Sequence, residues 1–179
     1  YALFPWRTVE ANVRLPFELQ DLGLSAAEKH DRVKKSLELV DLIGFEKSFP
    51  YELSGGMKQR VGIARALVTS PDILLADEPF AAIDAMTREA MQGELERIVM
   101  ETGQTCIFIT HSIDEAILLG DRVAVISYRP GKVKEIVEID FPRPRMNNSE
   151  VKTSKKYAEL RDHIWNLVKD EATQTNRGE

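Results

Sequence analysis

Ile73-Leu74-Leu75-Ala76-Asp77-Glu78 is a short apolar run that ends in two adjacent carboxylates. A second run, Thr105-Cys106-Ile107-Phe108-Ile109, ends in Thr110-His111. Continuous apolar runs of this length are the pattern of strands buried in a parallel sheet. Between them a charged helical stretch extends from about Ala85 to Thr102 and stops at Gly103. After the second run, Ser112 with Glu115 caps a further helix to Leu119. Strand, helix, strand and helix in alternation predict an α/β fold, with a mainly parallel sheet flanked by helices.

Working outward toward the N-terminus, a short helix is expected around Val9 to Leu19. Ser25 and Glu28 form a capping-box signature. Val33, Leu37, Val40 and Ile43 follow at helical spacing, with Gly44 as the stop. Ser54-Gly55-Gly56 opens another helix, with Val61, Ala64, Leu67 and Val68 on one face and Ser70-Pro71 at its close. Residues 9–70 therefore read as a helical subdomain.

Toward the C-terminus, Arg122 to Ser127 and Val133 to Ile139 read as strands joined across Pro130-Gly131, an antiparallel hairpin that finishes the sheet. Residues 71–140 form the core, and 141–179 form a polar, proline-containing linker and a terminal helix. That helix places Tyr157, Leu160, Ile164, Leu167 and Val168 on one face, the pattern of docking on the parent core. All 179 residues are read as one partial domain.

At 43% apolar, the 179 residues suffice for one sizeable core. The formal charge of −5, from 24 basic and 29 acidic side chains, gives no global positive field to attract nucleic acid or anionic lipid. Arg143, Arg145, Lys152, Lys155 and Lys156 are diluted by Asp140, Glu150 and Glu159 and are assigned to a solvated face. The lone Cys106 permits no intrachain disulfide; burial in a strand and a reducing compartment fit it. No apolar stretch approaches the roughly 20 residues that cross a bilayer, so membrane association is expected through a partner. Asn147-Asn148-Ser149 matches a glycosylation acceptor and is set aside, because no secretory feature accompanies it. Tyr1-Ala2-Leu3-Phe4-Pro5-Trp6 opens the chain abruptly on an aromatic cluster, from which preceding sequence is expected.

Three places carry chemistry. At Leu53-Ser54-Gly55-Gly56-Met57-Lys58-Gln59-Arg60, two glycines after a serine at a helix start leave backbone N–H groups open to an anion. Ser-Gly-Gly taken alone reads better as a serine cap followed by loop glycines. Asp77 and Glu78 lie where open α/β sheets bind ligands. Pointing to different sides, Asp77 can hold a hydrated Mg²⁺ while Glu78 faces an attacking water. The alternative is a solvated acidic turn. His111, placed after a strand and before a helix start, can donate to a phosphate oxygen, or can be structural.

In this order and spacing the motifs resemble those of the ABC ATPase family over Tyr1 to about Ile139. Leu53 to Arg60 resembles the family's signature motif, and Ile73 to Glu78 its Walker B strand with the catalytic glutamate. Ala81-Ala82-Ile83-Asp84 resembles the D-loop, and His111 the switch histidine. Met57 stands where many members carry glutamine, and Ala81 and Ile83 where serine and leucine are frequent; neither change removes a phosphate-touching group. Leu3-Phe4-Pro5-Trp6, Met57 and Thr110 to Ala116 resemble importers of the nitrate, sulfonate and taurine group.

The resemblance implies a partial P-loop NTPase fold and an ATP- and Mg²⁺-dependent ATPase subunit that drives import of a small anion. It implies a head-to-tail homodimer in which Ser54, Gly55 and Gly56 close over the partner copy's γ-phosphate and Asp84 relays its state. Leu3, Phe4, Pro5 and Trp6 would face transmembrane permease subunits, with a solute-binding protein as indirect partner. The subunit would sit peripherally on the cytoplasmic face of the cell membrane. The phosphate-binding Gly-x-x-x-x-Gly-Lys-Ser/Thr loop does not occur in these residues: Gly131-Lys132 is followed by Val133 and preceded by Ile126 at the first glycine's place. The chain by itself is therefore expected to be inactive. A non-transport ABC ATPase and a non-enzymatic interaction fragment are the competing readings.

Overall fold

The computed structural model describes residues 3–81, 83–146 and 148–175, with side chains to residue 169. Tyr1 and Ala2 of the opening cluster, Ala82 of the Ala81–Asp84 segment and Asn147 of the acceptor triplet lie outside the described residues. Two compact units form, one from residues 1–76 with 80–107 and one from 77–79 with 108–179.

The first unit opens with α1 (Val9–Arg14) and α2 (Pro16–Leu19), two helices where the sequence pattern predicts one. Pro16 has no N–H to extend the ladder of α1 and instead occupies the first turn of α2. In α3 (Ala26–Leu39) both halves of the Ser25/Glu28 capping box are present. The helix ends before Ile43 and Gly44. Asp41 takes a left-handed φ of 53°, the Leu42 amide reaches back to the Leu37 carbonyl (2.9 Å), and the Asp41 amide reaches that of Glu38 (3.1 Å). This is a Schellman closure with aspartate in the usual glycine place. It buries Leu42 completely and leaves Ile43 50% exposed.

A 3-10 turn at Pro50–Glu52 leads into α4 (Gly55–Leu67), which buries Val61, Ala64 and Leu67, with Val68 buried just beyond. α5 (Ala85–Thr102) begins at Asp84 and stops at Gly103, whose φ of 62° suits glycine.

β1 (Ile73–Asp77) and β2 (Thr105–Ile109) form a two-stranded sheet. The Glu78 amide, one residue past β1, donates to the Ile109 carbonyl at the end of β2 (2.9 Å), so the strands end side by side and run parallel. Both were expected to be buried on both faces. Instead each alternates: Leu74 is 7% exposed, whereas Leu75 is 72% exposed, and Ile73, Ile107 and Ile109 are about half exposed. Among the described residues, only one face of this ladder is packed. Cys106 is half-buried.

In the second unit, α6 (Ile113–Leu119) precedes the antiparallel hairpin of β3 (Arg122–Ile126) and β4 (Val133–Glu138). The hairpin forms its own sheet among the described residues and does not extend the β1–β2 ladder. After α7 (Ser149–Thr153), α8 (Lys155–Thr175) docks through buried Tyr157 and Ile164, beside Ile117, Val125 and Val137. Leu160 and Leu167 pack at the margin of this core, and Val168 is 42% exposed.

Arg145 departs from the solvated face assigned to it. It is 3% exposed and donates to the carbonyls of Ile117, Gly120, Ile139 and Phe141, besides pairing with Asp121 at 3.1 Å. A planar guanidinium with five donors can satisfy the orphan carbonyls at the end of α6, which lysine cannot do from one nitrogen.

Candidate active site

Glu78 follows directly on β1 and has a left-handed φ of 43°. For a side chain with a Cβ this conformation costs about 1–2 kcal/mol, and the amide's bond to Ile109 holds it there. The same carbonyl belongs to the last residue of β2, two positions before His111. The two strand ends thus bring the residues together: His111 Nε2 lies 2.6 Å from Glu78 Oε1. The imidazole is 86% and the carboxylate 39% exposed, so the pair faces solvent at the carboxyl ends of parallel strands. Asp77, adjacent and exposed, is a hard oxygen donor. It fits Mg²⁺, which keeps most of its waters and takes few protein carboxylates.

The loop around His111 is internally bonded. The Thr110 hydroxyl donates to the Glu115 carboxylate and accepts from the Ser112 amide (3.0 Å), while the Glu115 amide donates to the Ser112 hydroxyl oxygen (3.3 Å). The Ser112/Glu115 cap was legible in the sequence; the Thr110 link was not, because a threonine after a strand has no spacing rule.

In the first unit, Ser54 caps α4, its Oγ accepting from the Met57 amide at 3.3 Å. Ser54 and Gly55 are exposed and Gly56 partly so. A Cβ on Gly56 would sit 3.5 Å from Thr87 Cγ2 and 3.6 Å from Met91 Sδ, an ordinary contact. Glycine in a helix is less stable than alanine by about 0.5–1 kcal/mol, so the chain's own packing gives no reason for it here. Asp84 caps α5 by accepting from the Thr87 amide (3.0 Å). That amide, and then the Thr87 hydroxyl, hold the Asp84 carboxyl below the usual aspartate range.

Pro5 and Trp6 are exposed, while Leu3 and Phe4 are half-buried. The Trp6 ring meets Phe4 edge-on at 5.4 Å. Their loop hangs on Asn12, which is completely buried. Its Oδ1 accepts from the Phe4 amide (2.9 Å), and its Nδ2 donates to the carbonyls of Phe4 (3.2 Å), Arg7 (3.1 Å) and Thr8 (3.0 Å). Sequence reasoning missed Asn12; its only signal was a polar residue on the apolar side of a predicted helix.

A profile described as ABC transporter matches residues 1–81. The aliphatic sulfonates import ATP-binding protein of Bacillus cereus is 49% identical over 84% of this chain and 58% of its own length. The taurine import ATP-binding protein of Rhizobium johnstonii is likewise 49% identical, over 91% of this chain and 63% of its own. This chain belongs to the ABC ATPase family. It spans about three-fifths of the length of these curated relatives. The dimeric, post-hydrolysis structure of an ATP-binding cassette bound to ADP and Pi superposes with a TM-score of 0.59 at 34% identity, covering 79% of this chain and 60% of that one. The ABC ATPase cassette is thus the α/β, P-loop NTPase frame in which Glu78 and His111 meet.

Proposed function

We propose that this chain is part of the ATP-hydrolysing subunit of an ABC importer for a small sulfonate-, taurine- or nitrate-like anion. The observation that carries the reading is the solvent-facing contact between Glu78 and His111 at two adjacent strand ends. Sequence similarity to sulfonate and taurine import subunits supports the substrate class.

In this reading Glu78 orients and deprotonates the water that attacks the γ-phosphate, and His111 donates to a γ-phosphate oxygen. One Nε2–H cannot fully serve a carboxylate and a phosphate oxygen at once. Contact with phosphate therefore competes with the Glu78 contact and frees the carboxylate for water. Asp77 would hold Mg²⁺ through water, and the ion would supply charge neutralisation for the triphosphate. The phosphate-binding loop comes from outside these residues, and the 179 residues alone turn over no ATP.

A second copy supplies Ser54, Gly55 and Gly56 to the γ-phosphate, with Asp84 linking the sites. Leu3 to Trp6 meet the permease, which receives cargo from a solute-binding protein. No helix among the described residues is long and apolar enough to cross a membrane. In this reading the subunit sits peripherally on the cytoplasmic face, bound through the permease.

Steady-state ATPase assays on the full-length subunit test this. Glu78→Gln and His111→Ala should each lower kcat at least about 100-fold. Undiminished turnover in either variant contradicts the assigned role.

A further inference from the structure

We propose that Glu115 is the positioning residue for His111; this rests on the hydrolytic reading above. The His111 side chain is 86% exposed, so packing does little to fix it; besides its contact with Glu78, its placement falls to the backbone of its loop. The residues on either side of it are both tied to Glu115. The Thr110 hydroxyl donates to the Glu115 carboxylate, and the Ser112 hydroxyl oxygen takes the Glu115 amide at 3.3 Å. The Ser112 amide closes the ring on the Thr110 hydroxyl oxygen at 3.0 Å.

A Ser-x-x-Glu sequence at a helix start ordinarily returns the glutamate to the amide of the capping serine. Here that amide is taken by Thr110, and the Glu115 carboxylate goes to the threonine hydroxyl instead. Glu115 is 9% exposed, a burial that helix capping on a surface does not require. The neighbouring Asp114 turns to α8, accepting from the Tyr157 hydroxyl at 2.7 Å and from Arg161 Nε at 3.0 Å. The first turn of α6 is therefore anchored from outside, and Glu115 transmits that anchorage to the segment bearing the imidazole. A reacting group displaced by about 1 Å can lose about 100-fold in rate.

The test uses the full-length subunit. Glu115→Ala should lower kcat about 10- to 100-fold, with the KM for ATP and ATP-dependent dimerisation unchanged. Glu115→Gln, whose carboxamide oxygen still accepts from Thr110, should restore kcat to within about threefold of the parent. Thr110→Val should reproduce the alanine effect and Thr110→Ser should reverse it, which keeps the proposal testable if Glu115→Ala does not fold. Full activity in Thr110→Val, or equal losses in the Gln and Ala variants, overturns the proposal. Wild-type turnover in His111→Ala refutes the hydrolytic reading itself, a distinguishable result.

Discussion

Gly56, at the start of α4, and Gly120, just past the end of α6, are glycines for different reasons. A Cβ on Gly120 would lie 2.8 Å from the Ala116 carbonyl oxygen and 3.1 Å from that of Arg122, both backbone atoms that cannot move aside cheaply. A Cβ on Gly56 would meet only side-chain atoms at ordinary distances. The fold explains the first glycine and gives no packing reason for the second, which is compatible with the partner approach proposed above for the start of α4.

Substitutions sharpen this contrast. The largest effect on stability should come from Arg145→Met, which leaves the carbonyls around Gly120 without their donor; denaturant unfolding should show a loss of about 2–4 kcal/mol. Gly120→Ala should cost about 1–3 kcal/mol through overpacking. Gly56→Ala should leave stability unchanged or raise it by about 0.5–1 kcal/mol, while ATP-dependent dimerisation of the full-length subunit weakens at least about tenfold. A destabilised Gly56→Ala with normal dimerisation would erase the contrast. Gly62→Ala, inside α4 with nothing within 4 Å of the added Cβ, is the control and should gain about 0.5–1 kcal/mol.

The smallest effect concerns pH. The Asp84 carboxyl is held below its unfolded range by Thr87, so its contribution is present above about pH 4 and is lost as pH falls through the depressed folded value. Asp84→Asn should flatten that acid limb in thermal melts. An unchanged limb would detach Asp84 from the cap of α5.

Much of this architecture was legible because its signals are local. Gly103 and the Ser25/Glu28 box set helix ends through backbone chemistry that depends on neighbours in sequence. The misreadings have the opposite cause. The apolar run at Ile73 to Ala76 shows that a strand forms but not how many layers cover it, and Leu75 proved exposed. Arg145 looked solvated because its partners, Ile117 and Gly120, are more than twenty residues away. Glu78 and His111 were each legible as strand-end residues; their 2.6 Å contact depended on the β1–β2 ladder, which periodicity alone does not register.

In the proposed reading Glu78 activates water beside His111. Single-turnover hydrolysis in a preformed, ATP-bound dimer of the full-length Glu78→Gln subunit isolates that step. The dimer should form as the parent does, with the bound ATP persisting at least about 100-fold longer. ATP consumed at the parent rate would contradict the claim.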